Sequence, residues 1–315
     1  MSASPSPRRE SVIARLRAAG CVFAEDEARL LISAARTPAD LAAMVDRRAA
    51  GQPLEHVLGW AEFCGLRIAV DPGVFVPRRR TEFLVRHAAA LARQAASPAD
   101  HAPALPGHAA ALARQAASPV DHAAGHPRRA PSPADQALAR PRVVVVDLCC
   151  GSGAVGAALV AALDRVELYA VDIDPAAVRC ARRNVASAGG QVYEGDLYEP
   201  LPATLGGRVD ILVANAPYVP TEAVELLPTE ARRHEPRVAL DGGTDGLDVL
   251  RRVIAEARLW LAPGGHLLIE TSERQASQAA EAVARERLIP QVRSSDELNA
   301  TVVIATSPPK TGPEG

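Results

Sequence analysis

Val143-Val144-Val145-Val146-Asp147-Leu148, running into Cys149-Cys150-Gly151-Ser152-Gly153-Ala154-Val155-Gly156, is the stretch on which the fold turns. The valines read as a strand, and the glycine-rich loop after them opens a helix. Glycines there let a ligand approach the backbone, and the start of a helix offers free N–H groups. Gly151, Gly153 and Gly156 spell the dinucleotide fingerprint, with acidic Asp172 about 20 residues further on. A bound nucleotide explains this pattern better than a purely structural loop, and NAD is a candidate.

Two features favour S-adenosylmethionine over NAD. Asp147 puts a carboxylate at the approach to the loop, where it suits a cationic amino-acid group and repels a pyrophosphate. Gly195-Asp196-Leu197 offers a carboxylate and an apolar side chain, suited to an adenine amine and ring; capping of a helix by Asp196 is the plainer alternative. Asp172, within Ala170-Val171-Asp172-Ile173-Asp174, is placed to take ribose hydroxyls.

Working outward, strands are expected at Val143–Leu148, Glu167–Val171, Gln191–Glu194, Val209–Ala214 and His266–Glu270, each separated by a helix-length segment. That alternation argues for an α/β, Rossmann-like fold with a mostly parallel sheet and helices on both faces. Leu288–Val292 and Asn299–Ala305 lie too close for a crossover helix, so the last strand is expected to be antiparallel. Residues 142–305 form this expected catalytic domain, and 306–315 a loose tail.

Upstream, residues 1–60 read as a small helical bundle, with Thr37 as an N-cap before Pro38. Packing and partner binding are both open for it. Residues 61–80 read as a β-hairpin connector, with Phe63–Val70 and Val74–Val76 as strands about Asp71-Pro72-Gly73. Arg78-Arg79-Arg80 reads as a solvated charge run, and Thr81-Glu82 opens a helix through Ala90. His87-Ala-Ala-Ala-Leu-Ala-Arg-Gln-Ala-Ala-Ser-Pro-Ala-Asp100 recurs from His108 to Asp121 with one change. Within 81–141, this repeated Ala/Pro-rich insertion is expected to be a disordered linker across roughly 95–140.

The 315 residues carry 35 Lys and Arg against 37 Asp and Glu, so no basic excess exists to hold a phosphate backbone. Stable nucleic-acid binding is therefore not expected. Met1–Glu10 lacks the apolar core of a signal peptide, and no apolar run is long enough for a membrane span. Five cysteines in no pair-of-pairs spacing, with Cys149-Cys150 vicinal, fit reduced thiols in a cytoplasm and suggest no metal site.

Asn215-Ala216-Pro217-Tyr218 ends the apolar run 209–214. Asn215 can donate and accept, Pro217 holds Ala216 extended, and Tyr218 offers a flat face. The set suits a planar group carrying an NH2, although an ordinary Asn-x-Pro loop is the plainer reading of four residues alone.

Taken with Gln52-Pro53-Leu54-Glu55-His56-Val57-Leu58-Gly59, Phe75-Val76-Pro77-Arg78, Glu235–Gly243, Gly246-Leu247 and Leu261–Gly265 before Glu270, the chain resembles the bacterial protein-(glutamine-N5) methyltransferases that modify release factors. The resemblance spans nearly everything outside 95–140. It implies an S-adenosylmethionine-dependent methyltransferase fold, with Cys149, Cys150, Gly151, Ser152, Gly153, Asp172, Leu197 and Asn215 around the donor, beside the Asp147 and Asp196 already read as cofactor-binding. It implies that Asn215 and the carbonyl of Ala216 accept from a glutamine NH2, and that Pro217 shapes this loop while Tyr218 packs on the amide plane. The helical bundle would grip the release factor, and the enzyme would act as a cytoplasmic monomer. Ala216 stands where the family usually has Pro, Arg79 and Arg80 replace a Pro and an acidic residue, and Cys149-Cys150 replace a Gly-Thr pair. These departures keep a divergent paralogue with another protein target in view. Adenine-amino methyl transfer to nucleic acid and a non-catalytic, NAD-binding Rossmann protein are the further alternatives.

Overall fold

The computed structural model describes residues 7–96 and 142–309. Seven strands form one sheet: β3 (Val143–Leu148), β4 (Val166–Asp172), β5 (Gln191–Glu194), β6 (Val209–Ala214), β7 (Leu261–Thr271), β8 (Ile289–Ser295) and β9 (Ala300–Thr306). Their spatial order is β5-β4-β3-β6-β7-β9-β8. β3, β4, β5, β6 and β7 pair in parallel, whereas β9 runs antiparallel to both β7 and β8. The expected single antiparallel strand at the end of a parallel sheet is thus present, inserted between its two predecessors. The described helices pack on both faces.

Strand periodicity sorts the core. Val143 and Val145 point to one face with Ile211, Val213 and Leu268, under Leu84, Val85 and Ala88 of α5 (Glu82–Ala96) and Ala158 of α6 (Ala154–Ala162). Val144, Val146 and Leu148 point to the other face, beneath Leu250, Val253 and Ile254 of α9 (Asp248–Trp260) and Ala279 and Val283 of α10 (Ala276–Arg285). Covered on both sides, β3 is buried along its whole length. Along with α7 (Pro175–Val185), these helices leave the carboxyl ends of β3, β4 and β6 open, the place where open α/β sheets bind ligands.

Ahead of this lie α1 (Pro7–Ala18), α2 (Ala24–Ala34), α3 (Pro38–Ala49) and α4 (Leu54–Leu58), closed around Leu16, Ala28, Leu31, Leu41 and Met44. Thr37 accepts from Asp40 N–H as the expected cap of α3. The bundle meets the catalytic part through Arg48, whose guanidinium pairs with Glu27 and with Glu230 of α8 (Thr229–His234).

The hairpin differs from the sequence expectation. β1 (Trp60–Phe63) pairs antiparallel with β2 (Leu66–Ala69), and the chain reverses at Cys64-Gly65, both at positive φ. A cysteine at φ +50 is an uncommon turn residue, so this turn carries no sequence signal. Asp71-Pro72-Gly73 does bend, with Val74 N–H bonded to the Asp71 carbonyl, but among the described residues Val74–Val76 pairs with no strand. Those residues instead cross toward the open end of the sheet. α5 runs six residues beyond its expected end at Ala90. The first ten residues of the repeat, 87–96, belong to α5, and the rest of the expected linker at 95–140 lies outside the described residues, as does most of the tail at 306–315.

Candidate active site

A cavity of about 1120 Å³, counted out to open solvent, lies over the carboxyl ends of β3, β4, β5 and β6. Asp147, Cys149, Cys150, Gly151, Ser152, Asp172, Asp196, Leu197, Asn215 and Pro217 line it, so most of the sequence-predicted site residues converge. Gly153, Ala216 and Tyr218 do not line it. Gly153 lies just behind the wall, at φ +75, where a Cβ would meet Ala181 at 3.0 Å.

The loop after β3 is shaped by hydrogen bonds to two aspartates. Asp147, buried, accepts from Gly156 N–H at 2.9 Å; a Cβ on Gly156 would sit 3.2 Å from that same oxygen and 3.0 Å from Leu168. A side chain here would crowd both neighbours, so glycine suits this close approach of the helix start to the strand. Burial pushes the Asp147 carboxyl up to about 7, against the lowering effect of the Gly156 hydrogen bond. Asp172 accepts from Gly151 N–H at 2.7 Å and from Asp174 N–H at 2.9 Å, and burial raises it as well. Each of its oxygens keeps a lone pair for a hydroxyl.

Cys149 at φ +54 and Leu197 at φ +49 both hold left-handed backbone on the cavity wall. Strain of this kind persists only where the surroundings enforce it. Burial pushes both the Cys149 and Cys150 thiols up, so they line the wall as neutral, weakly polar groups. Asp196 does not cap a helix with its side chain: it pairs with Arg252 Nη2 of α9 at 2.7 Å, and Arg252 lines the cavity beside it.

After β6 the chain carries Asn215 to the cavity. Its Nδ2 donates to Thr81 Oγ1 at 3.3 Å. Among the described residues, neither Asn215 Oδ1 nor the Ala216 carbonyl has a hydrogen-bond partner. Behind them the loop is tightly held. Gln275 Nε2 donates to the Tyr218 carbonyl at 3.0 Å, Gly242 N–H to Val219 O at 2.8 Å, and Val219 N–H to Leu240 O at 3.0 Å. These contacts hold the loop that carries Ala216 in place of the family's usual Pro.

Arg78-Arg79-Arg80 is not a uniformly solvated run. Arg78 pairs with buried Glu235 and lies over the Phe75 ring, and Arg80 Nε donates to buried Glu270 at 3.1 Å; Arg79 alone is exposed. Arg78 is extended and Arg79–Thr81 winds into a single 3-10 turn, a change of backbone that brings Arg78 and Arg80 to buried carboxylates and leaves Arg79 outside. Sequence reading missed these partners, along with Phe75, Pro77 and Thr81 on the cavity wall, because they are contributed from far along the chain. Asn184 was missed too: it bonds Ala69 on β2 and the Ser152 carbonyl at 2.7 Å, tying the hairpin to the glycine loop.

A family model described as "Methyltransferase small domain" matches residues 136–232. A release factor glutamine methyltransferase of Geobacter sulfurreducens is 36% identical over 76% of this chain and 68% of its own length. Proteins of the same name from Streptomyces coelicolor and Mycolicibacterium smegmatis are 31% and 32% identical, over 84% and 87% of this chain and 78% and 82% of theirs. Relatives this similar, over this much of both chains and with the site residues gathered on one sheet edge, establish that this protein belongs to the release factor glutamine methyltransferase family.

Proposed function

We propose that this methyltransferase moves a methyl group from S-adenosylmethionine to the side-chain amide nitrogen of a glutamine in a peptide chain release factor, within its Gly-Gly-Gln loop. The observation that carries the reading is the polarity of Asn215. With its NH2 engaged by Thr81, its Oδ1 is left as an acceptor at the cavity wall. An acceptor there suits an incoming NH2.

The cavity suits the donor. Buried Asp147 fits a cationic amino-acid group, Asp172 fits ribose hydroxyls, and Asp196 with Leu197 fits an adenine amine and ring. The Arg252 partner of Asp196 leaves that carboxylate further lone pairs. When bound, the donor supplies a methyl group activated by a positively charged sulfur. Asn215 Oδ1 and the Ala216 carbonyl accept from the amide NH2, and the Tyr218 ring packs on the amide plane. These contacts hold the nitrogen in line with the methyl carbon, which is chiefly positioning catalysis. They also stabilise positive charge that grows on nitrogen as the N–C bond forms and the C–S bond breaks. The nitrogen then releases a proton to water.

We further infer that the helical bundle grips the release factor, which puts the work in the cytoplasm at translation termination. Among the described residues no helix is long and apolar enough to cross a membrane. The adenine-amino and NAD-binding readings have no support from the relatives. The decisive experiment incubates the protein with purified release factor and methyl-labelled donor, then maps label by peptide mass spectrometry. Label on the Gly-Gly-Gln glutamine is the expected result; none there, beside an active control enzyme, would sink the substrate.

A further inference from the structure

Arg80 and Thr81 are consecutive, and each reaches a different end of the transfer loop. Thr81 holds Asn215 directly. Arg80 reaches Tyr218 by way of Glu270, which stands at the end of β7, one residue past the Ala214–Ile269 register pair. The Glu270 side chain is only 2% exposed. Its Oε1 accepts from Arg80 Nε at 3.1 Å and from the Tyr218 hydroxyl at 3.2 Å. The Arg80 guanidinium lies 5.7 Å from the Tyr218 ring centroid, within cation–π range. Glu270 Oε2 is buried with no partner among the described residues, so one oxygen fixes the orientation of the carboxylate.

We propose that Glu270 and Arg80 are positioning residues for methyl transfer: the buried carboxylate fixes the Tyr218 hydroxyl and the guanidinium backs one face of its ring, so the ring is preset for the acceptor amide. This rests on the reading of Tyr218 as the residue that packs against that amide. Burial and the charge of Glu270 both push the Tyr218 phenol up, so it stays a neutral hydroxyl that donates to the carboxylate. Side chains locked by such contacts lose little freedom when substrate arrives, and a displaced ring costs turnover more than binding.

A purely structural ion pair would instead tie the connector to the sheet, and its loss would lower stability and donor affinity together. The test uses the full-length protein with Y218F, E270L, E270Q, R80M and the double variant Y218F/E270L. Three quantities are read: methyl transfer to release factor, S-adenosylhomocysteine affinity by calorimetry, and amide hydrogen exchange across 215–219 with that ligand bound. Y218F, E270L and R80M should each lower kcat about tenfold, with acceptor KM and ligand affinity within about twofold. E270Q, which keeps an oxygen for the hydroxyl, should retain most activity. The double variant should be no slower than the slower single, because both remove one contact. Exchange across 215–219 should speed up in E270L and R80M. Multiplicative losses in the double variant, or unchanged exchange, would overturn the proposal. Should E270L fold poorly, R80M still carries the exchange measurement. If wild type methylates no release factor, the substrate reading fails, while the exchange result still decides whether Glu270 and Arg80 hold the loop.

Discussion

Asn215 and Asp147 mark the two ends of the reaction path, and each gives a sharp expectation. Replacing Asn215 with Ala removes the acceptor aimed at the amide but no donor contact except its own. Turnover should fall by about 100-fold or more, while calorimetry with S-adenosylhomocysteine should show affinity changed only a few-fold. Near-normal turnover would refute the role given to Asn215. Asp147 has its carboxyl raised to about 7 by burial. A cationic donor binds the ionised form, so binding must expel the proton below that pH. Donor affinity should therefore weaken as pH falls through about 7 and level off above it. Asp147→Asn should bind weakly and lose most of this pH dependence when titrated across the same range. At this scale the sequence pointed to cavity-lining positions wherever the pattern is local: Gly151, Asp172, Asn215 and Pro217. It did not reveal the side-chain partners of Thr81, Glu270 and Arg252, which depend on what long-range folding puts beside them.

At the scale of elements, the transfer loop is supported from behind by the turn at 242–246. A Cβ on Gly242 would lie 2.6 Å from the Pro217 carbonyl and 2.7 Å from the Gly246 carbonyl, both backbone atoms that cannot swing aside. Gly242→Ala should push the loop out of place. Turnover should drop by at least about tenfold, with a lower melting temperature. A crystal structure of the variant should show 216–219 shifted. Strands β3 and β6 were legible to the residue, because apolar runs bounded by turn residues mark buried strands; the half-exposed edge strand β5 was placed to the residue as well. The hairpin was misread because Asp71-Pro72-Gly73 carries a stronger turn signal than Cys64-Gly65, and only pairing partners decide which turn joins two strands. The arginine run was misread for a related reason: three like charges resemble a solvated face until two of them find buried carboxylates.

Across the whole molecule, the bundle and the catalytic part are joined by polar contacts at Arg48. Its side chain is 12% exposed and that of Glu27 10%, so neither charge is well hydrated. Arg48→Met would leave Glu27 buried without its partner, a loss of about 3 kcal/mol for pairs of this kind. Thermal unfolding should begin at a clearly lower temperature, with the first protection lost in 7–58 by hydrogen exchange. If the bundle grips the release factor, acceptor KM should rise while ligand affinity holds. This joint could not have been found in the sequence, since Glu27, Arg48 and Glu230 form no motif.

The place of β9 between β7 and β8 also bears on how the protein is made. A ribosome delivers the glycine loop, Asn215 and Tyr218 well before residues 300–306 exist. Until they emerge, β7 has an unpaired edge at the positions later matched by 301–306. The nascent chain thus holds its donor loop and acceptor loop while the strand bearing Glu270 is supported from β6 alone. Maturation of the active site is therefore expected to follow synthesis rather than accompany it, as the last strand pairs with β7 and brings β8, whose one strand partner among the described residues is β9, into the sheet.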